Sequence, residues 1–219
     1  MVVGPCDFAK HSMSSKKTNH GSKEAGEFAR IETVRPGVLL GVTGGVAAYK
    51  AVELASKLTR LGATVRTVMT ENACRFVGPV SFRAVTCSPV YSSTWSPPEE
   101  HNSAHIALVD WADIVVVAPA TANIIGKAAN GICDDLLSTV LCAAAGKAVL
   151  LAPAMNCRMW ASPAVQRNLQ RLREGGWKII GPAEGRLADG TVGMGRMVEP
   201  VEILAAIEEA IPRIKRGSE

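Results

Sequence analysis

The most constraining feature of the chain is a run without a polar side chain, Ile114-Val115-Val116-Val117-Ala118. Consecutive β-branched residues with no alternation suit a strand that is covered on both faces. A sheet with helices packed on each side provides that environment. Short strands are also expected at 38–42 and 148–152, which are apolar runs, at 63–69, which is rich in β-branched residues, and at 177–180. Helical periodicity lies between them. Ala47, Ala48, Ala51, Val52, Leu54, Ala55 and Leu58 recur at helical spacing, with Lys50, Glu53, Lys57 and Arg60 between them. This predicts a helix over 46–61 that Gly62 ends. Further helices are expected at 121–129, 136–145, 163–174 and 200–214. Strands alternating with helices predict an α/β fold: one doubly wound, Rossmann-like parallel sheet with helices on both faces. Residues 184–198 hold four glycines and no regular period, so they read as a mobile flap.

Residues 1–35 differ from the rest. They are polar, rich in Ser, Lys and Gly, and lack an apolar period, which predicts a disordered arm ahead of one domain at 36–219. The arm holds six Lys or Arg against four Asp or Glu, so it carries +2 of the formal +4. The remaining body is nearly neutral, which argues against a nucleic-acid partner. No apolar run reaches the roughly 18–20 residues of a membrane span, and no secretory signal is visible. The six cysteines form no CxxC pair and no zinc spacing. They are expected to be reduced, with Cys133, Cys142 and Cys157 buried as small hydrophobes. No metal is expected, and the compartment expected is cytoplasmic.

Four segments carry chemistry. Thr43-Gly44-Gly45-Val46 lies between a strand and a helix, where backbone N–H groups and the helix dipole can hold a phosphate. Its competitor is a plain tight turn. The second strand ends at Thr70 with no acid for a ribose, so a mononucleotide fits better than NAD. His105 precedes a buried strand and is either a proton carrier near neutral pH or a surface histidine. His101 is expected in solvent. Thr121 and Asn123 follow the Ile114–Ala118 strand, where open α/β sheets bind ligands. They either meet a polar ring edge or cap the next helix. Asn156 stands between Met155 and Met159, with amide donors for a carboxylate and soft methionines for an aromatic ligand.

Together these segments resemble the homo-oligomeric flavin-containing cysteine decarboxylase family. The likeness runs from Gly37 to about Ile211. Its most specific element is PxMNxxMW, here Pro153 to Trp160. GVTGGVAAYK at 41–50, HIxLxxWAD at 105–113, APATANIIGKxAxGICDDLL at 118–137 and GxxGxGRM at 190–197 follow the same pattern. The resemblance implies FMN bound by Thr43, Gly44, Gly45, Val46, Thr70, Ala118, Thr121, Ala122, Asn123 and Met155. It implies substrate contacts at Asn130, Asn156, Met159, Asp189 and Met197. His105 would be the active-site base, and Asn156 would hold the substrate carboxylate. Homotrimers, sometimes joined into dodecamers, are implied, with FMN near subunit interfaces.

The chain departs from the family at one point. Phosphopantothenoylcysteine decarboxylases carry a flap cysteine in an Ala-Cys-Gly sequence, where this chain has Ala188-Asp189-Gly190. That cysteine helps return electrons to the enethiol, and a carboxylate cannot replace a thiol in that step. The expectation is therefore a reaction that stops at the enethiol, on a precursor peptide ending in Cys. Decarboxylation of phosphopantothenoylcysteine, with Cys157 as a substitute thiol, is the alternative. A non-catalytic flavin-fold regulatory subunit is the third reading.

Overall fold

Burial along the first strand shows how the molecule is layered. The computed structural model describes residues 35–93 and 104–211. The arm expected at 1–35 therefore lies outside the described residues except for Arg35, and His101 lies outside them too. Strand β1 (Gly37–Val42) is buried at every position. Val38, Leu40 and Val42 enter one core while Leu39 enters the other. β4 (Ile114–Ala120) divides in the same way, with Ile114, Val116 and Ala118 on one side and Val115 and Val117 on the other. An apolar run without alternation is thus an alternating strand whose two faces are both covered.

The sheet has six parallel strands in the order β3-β2-β1-β4-β5-β6. β2 (Thr64–Met69), β3 (Val90–Tyr91), β5 (Ala148–Pro153) and β6 (Lys178–Ile179) complete it. On one face lie α1 (Ala48–Arg60), α3 (Pro79–Thr86) and α9 (Pro200–Ala210), which bury Leu54, Phe82 and Ile203. On the other lie α4 (Ala104–Trp111), α5 (Ala122–Asn130), α6 (Leu136–Ala143) and α8 (Pro163–Glu174), which bury Leu108, Ile125, Leu137 and Leu169. Two short helices, α2 (Glu71–Phe76) and α7 (Cys157–Trp160), follow β2 and β5. The doubly wound α/β fold expected from the sequence is the fold observed.

Two expectations need correction. Residues 184–198 contain an antiparallel hairpin, β7 (Ala183–Arg186) and β8 (Val192–Arg196). Its alternation is hidden because glycines take the places of strand side chains. The cysteines also differ from expectation. Cys133 and Cys142 are exposed and Cys157 is half-buried. Cys133 sits in the loop between α5 and α6, and α6 points Leu137, Val140 and Leu141 inward, leaving Cys142 outside. The five described cysteines are free thiols.

Candidate functional site

In this strand order, β1 and β4 are neighbours whose chains leave toward opposite faces of the sheet. α1 packs on one side and α5 on the other, so a crevice opens at the carboxyl ends of the two strands. The structure has a cavity of about 1110 Å³ there. A pocket for one drug-sized ligand holds roughly 300–1,000 Å³, so this space suits a cofactor together with a substrate.

The first wall is the turn after β1. Thr43, Gly44, Gly45 and Val46 line the cavity. Thr43 is buried and its hydroxyl is committed within the protein. It donates to the Pro119 carbonyl at 2.7 Å and accepts from the Thr121 amide at 3.1 Å. The hydroxyl therefore joins the two strand ends and is not free for a phosphate. The amides remain. Among the described residues, the N–H groups of Gly44, Gly45, Val46 and Ala47 meet no acceptor. They open the N-terminus of α1, where the helix dipole favours an anion. Gly44 is required by space, since a Cβ there would lie 2.5 Å from the Cβ of Asn72. Thr70 lines the cavity from the end of β2, and its hydroxyl caps α2 by accepting from the Ala73 amide.

The second wall comes from β4 and β5. Thr121, Ala122 and Asn123 begin α5 and line the cavity, and the Ala122 and Asn123 amides also meet no acceptor among the described residues. Met155, Asn156 and Met159 line it from the end of β5. Asn156 caps α7, its side-chain oxygen accepting from the Arg158 amide at 2.8 Å. That bond fixes the amide so that its nitrogen faces the flap.

The hairpin is the third wall. Met197 backs the cavity from a buried position, and Asp189 reaches it from the hairpin tip. The Met155 amide donates to the Gly195 carbonyl at 2.9 Å, which joins flap to strand end. The Asn156 amide donates to Asp189 at 2.6 Å. Asp189 also accepts from the Thr191 hydroxyl and amide, and these bonds followed by that of Asn156 hold its carboxyl below the usual range.

Charged residues that the sequence reading did not single out complete the rim. Lys50, only 11% exposed, pairs with Glu199 at 2.8 Å, and its ammonium holds that carboxyl below the usual range. Lys127 bonds both Asp134 and Asp135 at 2.7 Å. Burial pulls the Lys127 ammonium down, but the two carboxylates outweigh it and raise its pKa. Arg186 lines the cavity and enters no ion pair among the described residues. The adjacent pair Asp134-Asp135 just before an apolar helix was the available signal for the Lys127 cluster.

Three expected site residues lie off the cavity. Ala118 is fully buried within the core. Asn130 is exposed, and its amide is taken up by Gly126, Asn168 and Arg171. His105 is half-buried in the first turn of α4. The end of that helix, at Trp111, lies against Gly37 at the start of β1. α4 therefore runs against the strands, and its first turn points toward the sheet end that holds the cavity. His105 nevertheless does not line the cavity of its own chain.

Comparison with known proteins places the chain among relatives by sequence and by fold. The family model described as Flavoprotein matches residues 29–212. The coenzyme A biosynthesis bifunctional protein CoaBC of Bacillus subtilis is 51% identical over 172 residues, which is 78% of this chain and 42% of that protein. The chain thus spans less than half the length of that curated relative. Among solved structures, a cysteine-to-serine mutant of PPC decarboxylase complexed with pantothenoylaminoethenethiol is 36% identical, with a TM-score of 0.73. That match covers 80% of this chain and 97% of the other. The FMN-dependent cysteine decarboxylase SpaF is 34% identical with a TM-score of 0.69, covering 85% of this chain and 99% of the other.

Proposed function

This chain belongs to the flavoprotein family, among the flavin-dependent cysteine decarboxylases, and we propose that it binds FMN and decarboxylates an acylated cysteine of the phosphopantothenoylcysteine type. One observation carries the reading. The crevice presents two different sets of donors suited to anions, a row of backbone amides unmet among the described residues at Gly44 to Ala47 and a fixed side-chain amide at Asn156. The amide row suits the FMN phosphate, because its donors come from a helix N-terminus and Gly44 admits no side chain. Asn156 suits the substrate carboxylate. The sequence alone favoured a precursor peptide, whereas the 51% identity to CoaBC favours the small acylated cysteine.

Bound FMN supplies a hydride acceptor that turns the thiol-bearing carbon into an electron sink β to the carboxylate. The chain does the rest. Asn156 orients the carboxylate, Met155 and Met159 pack the apolar part of the ligands, and Arg186 meets the substrate phosphate. His105 takes the thiol proton. Because it lies off the cavity of its own chain, a neighbouring copy in a homotrimer supplies it. Mixing His105→Asn and Asn156→Asp chains tests that arrangement. Shared sites restore part of the activity that each variant lacks alone, and separate sites restore none.

No cysteine lines the cavity among the described residues, and Cys157 packs against Gly193 of the hairpin. Asp189 stands ionised at neutral pH and has neither a thiol nor a proton to give. The expected product is therefore the enethiol. Mass spectrometry of phosphopantothenoylcysteine after incubation with the yellow protein should show loss of carbon dioxide and two hydrogens. Loss of carbon dioxide alone would show that the saturated thiol is made. The missing flap cysteine also favours a second reading, a peptide ending in Cys. Turnover of such a peptide without turnover of phosphopantothenoylcysteine would establish it.

A further inference from the structure

The Asn156 amide has two faces, and each is already engaged. Its oxygen accepts from the Arg158 amide at 2.8 Å and caps α7, so the side chain cannot flip without losing the cap. Its nitrogen donates to a carboxylate, Asp189 Oδ2, at 2.6 Å. That carboxylate is borne by the hairpin tip, where Leu187 and Thr191 close the turn through a main-chain bond of 2.8 Å. Asp189 Oδ1 is held by the Thr191 amide at 3.1 Å and the Thr191 hydroxyl at 2.7 Å. The Asp189 carboxylate thus occupies the donor that, on the function proposed above, belongs to the carboxylate of the substrate.

We propose that Asp189 is a built-in stand-in for the substrate carboxylate, a latch that holds the flap on Asn156 and that the incoming carboxylate must displace. Two like charges at one amide repel, and among the described residues three of the four cations that line the cavity, Lys50, Lys127 and Arg196, are paired with other carboxylates. Lys50 is tied to Glu199 and Lys127 to Asp134 and Asp135. Arg186 is the unpaired cation among the described residues that line the cavity, and the proposed function assigns it to a phosphate. The exchange is one carboxylate for another at the same donor. The latch therefore selects against ligands too weakly held elsewhere to pay for breaking the 2.6 Å bond. A ligand with the same body but no carboxylate leaves the latch closed.

The test uses the FMN-loaded protein and two unreactive probes, S-methylated phosphopantothenoylcysteine and its counterpart lacking the carboxylate. Binding is read by calorimetry. Asp189→Asn keeps the shape of the tip and removes the charge. It should bind the carboxylate probe about tenfold more tightly than the unaltered protein, and the descarboxy probe equally well. Thr191→Val removes a hydroxyl bond from the same turn and leaves the charge, so it should not tighten the carboxylate probe. Equal binding of the carboxylate probe by the unaltered protein and Asp189→Asn overturns the latch while leaving the proposed function intact. Matching gains from Thr191→Val and Asp189→Asn also overturn it, because loosening of the turn would then be the cause. Failure of both probes to bind any variant overturns the proposed function and the latch with it.

Discussion

The cavity lies between two regions built on opposite principles. The strand-end wall is formed by turns whose flanking residues are fully buried, and Thr43 ties its two halves together by side chain. The hairpin wall is exposed along much of its length and rests on a few polar bonds. Buried, cross-tied backbone opens at close to the global unfolding free energy, while an exposed hairpin opens locally at far lower cost. The rigid wall is suited to holding a cofactor through many turnovers. The loose wall is suited to admitting and releasing what changes at each turnover.

Four substitutions would break or sharpen that contrast. Gly44→Val has the largest expected effect. Its Cβ would sit 2.5 Å from the Asn72 Cβ and 2.8 Å from the Asn72 carbonyl carbon, so the turn must shift. FMN affinity should fall by about a hundredfold or more, and the protein should purify colourless with its circular dichroism unchanged. A yellow protein would move the phosphate away from this turn. Gly195→Ala acts on the other wall, because its Cβ would run into the Met155 carbonyl. Turnover should drop by roughly tenfold or more with the yellow colour kept. Equal loss of colour in both glycine variants would erase the distinction between the walls.

Thr43→Val removes two hydrogen bonds at a buried site, stranding the Thr121 amide and the Pro119 carbonyl. Stability should fall by about 1–3 kcal/mol in urea titrations, with little change in slope. Lys50→Met should do least. Lys50 lowers the folded pKa of Glu199 below its ordinary 4.5, so the pair stabilises above that pH. The contribution is lost as pH falls through the lowered value. Glu199 is 44% exposed, so the effect is small. Thermal midpoints followed from neutrality to about pH 3 should flatten in the acid range for Lys50→Met. Unchanged acid sensitivity would show that the pair holds the rim in place without contributing to stability.

The same contrast decides what the sequence revealed. β1, β4 and β5 are visible because adjacent apolar residues leave no other reading, and α8 runs from Pro163 to Glu174 as expected because Pro opens it and Gly175-Gly176 closes it. β3 has only two residues, and α4 is too evenly apolar to show a face, so neither stood out. The site divides likewise. The turn Thr43 to Val46 could be read because the strand, the glycines and the helix are contiguous. The bond between Asn156 and Asp189 spans 33 positions, and that between Lys50 and Glu199 spans 149, so neither leaves a local trace. By sequence Thr43 reads as a ligand group because its hydroxyl sits at the turn. Only the packed structure shows that Pro119 and Thr121 use it.

The hydrogen bond from the Met155 amide to the Gly195 carbonyl has a consequence for how such proteins diversify. It joins main chain to main chain, so it ignores the identity of every side chain between Leu187 and Val192. A seam of that kind makes the hairpin tip a cassette. Residues there can be exchanged without breaking that bond, while the strand ends and their glycines stay as they are.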